Sequence, residues 1–129
     1  MRMHTRRNPS GNEPATYSQG IEVLGGGRTL YISGQIGVDE VGNILPGIAA
    51  QSDAVFINLQ AVLKEAGMTF ENLVKTTVFL TNRDDFPTFA EIRKAHLEHA
   101  KPSSTLVIVS GLVRPDLLVE VEGVAVASS

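Results

Sequence analysis

Two carboxylates stand inside an apolar run near the end of the chain, Leu117-Leu118-Val119-Glu120-Val121-Glu122-Gly123-Val124-Ala125-Val126-Ala127. Side chains alternate along a strand, so Glu120 and Glu122 share one face and Val119 and Val121 the other. A partly buried carboxylate can hold a water or relay a proton. It can equally pair with a lysine or arginine across a subunit contact, and the residues alone leave both readings open. The other polar groups at or near strand ends are Tyr17, Ser33, Gln35, Ser104, Thr105 and Arg114. There is no cysteine, so a thiol nucleophile and a disulfide framework are excluded. No G-x-S-x-G run exists, and Ser33 in Ser33-Gly34-Gln35 is no nucleophile elbow. His96 and His99 share a spacing that can suit a metal, but no third ligand is placed by the sequence. No metal is expected there; the pair reads as helix-end groups that favour the dipole. Gly25-Gly26-Gly27-Arg28 is followed by neither a Lys-Ser/Thr pair nor a helix, so it reads as a hairpin turn rather than a phosphate loop.

The elements that must position these groups come from a chain of 129 residues, enough for one domain with one core. Its net charge is −3, and its basic residues are scattered apart from Arg2, Arg6 and Arg7. A nucleic-acid partner would need a basic face, so none is expected. No apolar run approaches the ~20 residues that span a bilayer, and the basic start has no apolar segment behind it. The expectation is a cytoplasmic protein with no membrane partner.

Residues 1–14, polar and broken by Pro9, Gly11 and Pro14, read as a flexible arm, and residues 15–129 as a single domain. Tyr17 to Leu24 reads as a strand interrupted by Gly20. Thr29 to Ile36 reads as the next, with a glycine near its end where a ligand or backbone can come close. Gly37 to Pro46 is a loop of ordinary turn formers. Gly47 to Ala66 is predicted helical, with Ile48, Val55, Leu59, Val62, Leu63 and Ala66 on one stripe and Gly67 at C′. Asn58, beside that stripe, reads as a packing residue. Leu73 to Leu80 is a strand. Asp85 is expected to cap a helix over Phe86 to His99, with Pro87 in its first turn and Phe86, Phe89, Ile92 and Leu97 buried. Residues 102–112 and 117–127 are the last strands, joined by a turn at Arg114-Pro115-Asp116. This order predicts an α+β layer pair with both helices on one face of a mixed sheet. The other face is still apolar and no residues remain to cover it, so copies of the chain are expected to do so.

Tyr17-Ser-Gln-Gly20, Tyr31-Ile-Ser-Gly-Gln-Ile36, Asn58, Gly67, Val74-Lys-Thr-Thr-Val-Phe79, Asp85-Phe86, Pro102 and Val119-Glu-Val-Glu122 resemble, in order and spacing, the RidA (YjgF/YER057c/UK114) family. The resemblance runs from about Pro14 to Ala127. It implies a chorismate-mutase-like α+β fold and a homotrimer, with three sheets meeting as a central barrel and small-molecule clefts at the subunit boundaries. It also implies hydrolysis of reactive imines and enamines such as 2-aminoacrylate to 2-keto acids and ammonia, with no cofactor. The family has also been described as endoribonucleases, a reading the acidic net charge opposes.

Carried over residue by residue, the family's cleft tyrosine is Tyr17, its Ser-Gly is Ser33 and Gly34, and its water-handling glutamate is Glu120. The arginine that grips the substrate carboxylate falls at Ser104, followed by Thr105. The family's cysteine position is Leu106, and its cleft asparagine aligns roughly with Ala90. Losing a charge-assisted bond of the arginine kind costs about 1.5–3 kcal/mol. Arg114 is the candidate replacement if a neighbouring subunit or loop brings it near. The expected substrate is therefore a reactive imine, enamine or related compound unlike 2-aminoacrylate. The alternatives are a non-catalytic metabolite-binding or regulatory trimer and, with less support, an endoribonuclease.

Overall fold

The β-branched runs assemble into one six-stranded sheet. A computed structural model describes residues 4–15 and 17–128. The strands are β1 (His4–Arg7), β2 (Gly20–Leu24), β3 (Arg28–Ile36), β4 (Leu73–Leu80), β5 (Ser103–Ile108) and β6 (Val119–Ala127). Their order across the sheet is β1-β2-β3-β6-β4-β5. Every pairing is antiparallel except β4 with β5, which is parallel. The helices α1 (Gly47–Glu65) and α2 (Phe86–Leu97) lie together on one face, α1 packing on β3 and β6. This is the mixed sheet with two helices on one face that the pattern predicts.

Burial alternates along β6 as the period of two requires. Val119, Val121, Gly123 and Ala125 face the helices, while Glu120 is half-buried and Glu122 exposed on the other face. The core joins them to Leu30 and Ile32 of β3, Val78 and Leu80 of β4, and Val55, Phe56, Leu59, Val62 and Leu63 of α1. The expected α1 stripe is there, although Ile48 at its start is only partly buried. The helix ends in a Schellman motif: Gly67 adopts φ +68°, its N–H donates to Lys64 O, and Met68 N–H donates to Leu63 O. Gly20 begins β2 rather than interrupting it. A Cβ there would lie 2.8 Å from Val62 Cγ1, so the glycine lets α1 settle on the sheet. Gly25, Gly26 and Gly27 all take positive φ in the β2–β3 hairpin, as a turn requires.

Four expectations change. Of the arm expected over 1–14, Met1–Met3 lie outside the described residues, but His4–Arg7 form a strand paired with Gly20–Val23. Its side chains are polar, and what holds it is the ladder plus Arg7, whose Nη2 donates to Glu22 at 2.7 Å. Asp85 occupies the N-cap position of α2 but makes no side-chain capping bond. Asn82 instead caps the short 3-10 turn over Arg83–Asp85, its Oδ1 accepting from Asp84 N–H. Phe86 is exposed on the single chain, whereas Phe89 and Leu97 are buried as expected. β5 ends at Ile108, short of the predicted Leu112.

Candidate active site

A bulge in β3 builds the cleft. Ile32 pairs with Gly123 and Gln35 with Val121, so Ser33 and Gly34 together oppose the single residue Glu122. Such a bulge bends the strand and re-aims its side chains. Freed from β6, Ser33 N–H donates to Gln19 O at 2.7 Å, and Ser33 Oγ donates to Ser18 O at 2.6 Å. The stretch before β2 is thereby drawn against the bulge, which places Tyr17 beside it. Tyr17, Ser33, Gly34 and Glu120 line one cleft of about 800 Å3, with Asn58, Val113 and the loop of residues 38–42 around them.

Glu120 is the chemical centre of this cleft. Its carboxylate rests over Gly34, where any Cβ would collide with Oε2. Among the described residues it makes no hydrogen bond and no ion pair. Burial, aided by the neighbouring charge of Glu122, pushes its pKa above the ordinary carboxylate value. An unpaired carboxylate with a raised pKa in a cleft is suited to exchange protons with a water or a bound molecule.

The cleft's floor is held by buried amides. Gln35 Nε2 donates to Gln19 Oε1 at 2.8 Å, and Gln19 Nε2 donates to Asn12 Oδ1 at 3.1 Å. Asn58 Nδ2 donates to the carbonyls of Ile36 and Val38, so it fixes the strand's exit, the packing role expected of it. Gln51, buried on α1, donates to the carbonyls of Leu45 and Asp116 and accepts from Leu118 N–H. It ties the cleft loop to the connection before β6. The sequence reading overlooked Gln51; the only available signal was a polar residue at a helix-stripe position.

The remaining expected site residues lie elsewhere. Ser104 is on the helix-side face of β5, its hydroxyl 3.1 Å from Thr76 Oγ1. Glu120 is on the opposite face, two strands away across β4. Thr105 faces the other way from Ser104 and its Oγ1 accepts from Lys75 Nζ at 2.8 Å. Arg114 is exposed in the connection before β6, with Nε 3.9 Å from Asp116 Oδ1. It lines neither the cleft nor the surroundings of Ser104. One chain therefore brings together Tyr17, Ser33, Gly34 and Glu120, and leaves Ser104, Thr105 and Arg114 apart from them. Ser33 lines the cleft, but its N–H and O–H both donate to carbonyls of the chain, Gln19 O and Ser18 O.

His96 is partly buried in α2's last turn. Its Nε2 lies 2.7 Å from Asp53 Oδ1 and its ring stacks on Phe56, joining the two helices. Among the described residues no group of three or more His, Cys, Asp or Glu is placed to hold a metal ion. Among the described residues no helix is long and apolar enough to cross a membrane.

Two helices on one face of a mixed sheet, with a bulged strand opening a cleft on the other side, define an α+β domain of the RidA-like kind. The chain belongs to the RidA (YjgF/YER057c/UK114) family. A family model described as Endoribonuclease L-PSP matches residues 10–127. The mouse protein named 2-iminobutanoate/2-iminopropanoate deaminase is 40% identical over 112 residues, covering 85% of this chain and 80% of its own. The human protein of the same name is 38% identical, covering 85% and 79%. Among solved structures, RidA from an Antarctic Psychrobacter superposes with a TM-score of 0.82 at 32% identity, covering 98% of this chain and 100% of that one. Escherichia coli TdcF, solved with bound serine, gives 0.78 at 31%, covering 96% of each.

Proposed function

We propose that the protein is a cofactor-independent deaminase that hydrolyses a small reactive imine or enamine. The observation that carries this is Glu120, a half-buried carboxylate with a raised pKa and no partner among the described residues, set over Gly34 in the cleft beside Tyr17. The names of the mouse and human relatives support the same chemistry.

In the mechanism, an enamine first tautomerises to the imine. Glu120 accepts a proton from a water as the water oxygen bonds to the imine carbon, and the imine nitrogen takes up a proton from solvent. Glu120 then returns its proton to the nitrogen. The C–N bond breaks, ammonia leaves with the bonding pair, and the hydroxyl gives a proton back to solvent as the carbonyl forms. The balance is R2C=NH + H2O → R2C=O + NH3. Tyr17 borders the bound molecule and orients it. The amide of Gly34, outside the paired register at the bulge, is the donor to developing charge.

The active assembly is a homotrimer in which the helix-free faces form a central barrel. Tyr31, Val107 and Val126 on that face are 53%, 39% and 40% exposed in the single chain, and a second and third copy would cover them. Ser104 and Glu120 cannot meet within a chain, so the β5 edge of one copy completes the Glu120 cleft of the next. The protein acts in the cytoplasm as a single domain.

The decisive assay follows ammonia release from 2-imino acids generated in situ by an amino-acid oxidase. Wild-type turnover that Glu120→Gln abolishes supports the reading. Turnover unchanged in Glu120→Gln overturns the mechanism. Ser104, which brings no charge to the carboxylate position, favours one second reading, a metabolite-binding trimer without turnover. A ligand bound at the cleft and never consumed would establish it.

A further inference from the structure

The position where the resemblance places a carboxylate-gripping arginine, Ser104, opens into a depression of about 610 Å3 between β5 and the end of α2. Arg93, Lys94 and Lys101 line it beside His99, against one acid, Glu98. Three cations together are a dense group for a chain of net charge −3. Among the described residues none of the three forms an ion pair, whereas Arg7 and Arg28 are both committed to Glu22. Like charges gathered without counter-ions repel, and a bound anion relieves that repulsion.

Two further features hold the cations in place. The guanidinium of Arg93 sits 5.3 Å from the centre of the Phe89 ring and 5.8 Å from that of Phe86. Stacking of this kind fixes the plane and leaves the N–H edge for hydrogen bonds. Lys101 adopts φ +46°, the single non-glycine residue among those described with positive φ, immediately before Pro102. A left-handed lysine is disfavoured, and the turn from α2 to β5 nonetheless keeps it at the rim. The floor is neutral: Thr76 and Ser104 bond to each other through their hydroxyls. A serine in place of a long side chain leaves the volume empty.

We propose that this depression is a carboxylate subsite in which Arg93 and Lys101, with Lys94 beside them, take over from the missing β5 arginine. The volume left by Ser104 admits an acid larger than 2-aminoacrylate, so the substrate class is an imino acid with a bulky side chain. The inference rests on the reading above, in which the depression of one copy faces the Glu120 cleft of its neighbour.

The test is calorimetric titration of the assembled protein with pyruvate, 4-methyl-2-oxopentanoate and phenylpyruvate, stable analogues of the products. The wild type is expected to bind the two larger acids more tightly than pyruvate. Arg93→Met and Lys101→Met should each weaken that binding about tenfold or more, the loss expected for one charge-assisted bond. Arg93→Lys should recover part of it. Absence of 2-oxo acid binding to the wild type overturns the proposal, and so does unchanged affinity in both Met variants. Lys101→Met decides the matter if loss of the Phe89 stack unfolds Arg93→Met. Parallel kinetics separate the two readings. A raised KM at unchanged kcat in the Met variants supports both. Turnover whose KM ignores them sinks the subsite and leaves the deaminase standing. Binding that depends on Arg93 with no turnover of any imine does the reverse.

Discussion

Glu22 and Glu120 are carboxylates on strands of the same sheet, and the fold treats them in opposite ways. Glu22 is almost fully buried and faces two guanidinium groups, Arg7 and Arg28; Arg28 also donates to the Ala66 carbonyl at the end of α1. Burial opposes its charge, but the hydrogen bonds and charges of the two arginines outweigh that and hold its pKa below the ordinary value. Glu120 is less buried, yet has no partner among the described residues, and its pKa is raised. Burial alone therefore does not decide the state of a carboxylate here; the presence of a partner does. One glutamate fastens β1 and β2 to the helix layer, and the other is left able to react.

The largest effect expected from breaking this contrast is on chemistry. Glu120→Gln should lower turnover at least a hundredfold, the scale of general acid–base catalysis, in the ammonia-release assay. Its thermal midpoint should rise, because the buried charge is gone. Next comes Glu22→Gln, which leaves two arginines facing a neutral amide. Urea unfolding should show a loss of about 3 kcal/mol, the low end of the cost of breaking a buried pair, because both arginines still reach water. Turnover by the folded fraction should be unaffected.

A smaller effect is expected from Gly34→Ala. The added methyl displaces the Glu120 carboxylate without altering its chemistry, so kcat should fall by about tenfold with the circular dichroism spectrum unchanged. The pH dependences should run in opposite senses. The stabilisation from Glu22 is full above the unfolded carboxylate value and is lost as pH falls through its lowered folded value. For Glu120 the charged form carries a penalty above its raised folded value, and that penalty vanishes as pH falls to the unfolded value. Wild-type activity should accordingly decline on acidification at a pH above the ordinary carboxylate range. The smallest effect is on this last profile: Glu122→Gln removes a like charge and should move the acid limb to lower pH.

Local chemistry was legible where a residue's role depended on its near neighbours. The run Leu73–Leu80 is rich in β-branched and aromatic residues and is a strand over those bounds. Gly67 sits after the last periodic residue of α1 and caps it. Glu120 could be singled out because a carboxylate in a valine-rich strand asks for a cause. What stayed hidden depends on topology. Nothing in His-Thr-Arg-Arg suggests a strand; β1 exists because β2 offers a ladder and Glu22 offers a partner fifteen residues away. The bonds of Ser33 to Gln19 and Ser18 were likewise out of sight, because they arise only when the chain doubles back. Arg114 is a replacement only if a neighbouring subunit or loop brings it near Ser104, and within one chain it stands exposed in the connection before β6. Phe86 fits the helical stripe by period, but the end of α2 that carries it overhangs the sheet's open edge.

The bulge at Ser33–Gly34 has an arithmetic consequence. Before it, the even-numbered residues Leu30 and Ile32 point at the helices; after it, the odd-numbered Gln35 does, and Ile36 turns towards the cleft. The strand reverses phase in mid-course. Deleting Gly34 would restore a one-for-one ladder with Ser33 opposite Glu122, and Gln35 and Ile36 would keep their partners Val121 and Glu120 and therefore their faces. What the strand would lose is the extra residue whose missing Cβ leaves room for the Glu120 carboxylate. The bulge thus reserves a seat for one side chain of the neighbouring strand without disturbing the order of the residues beyond it.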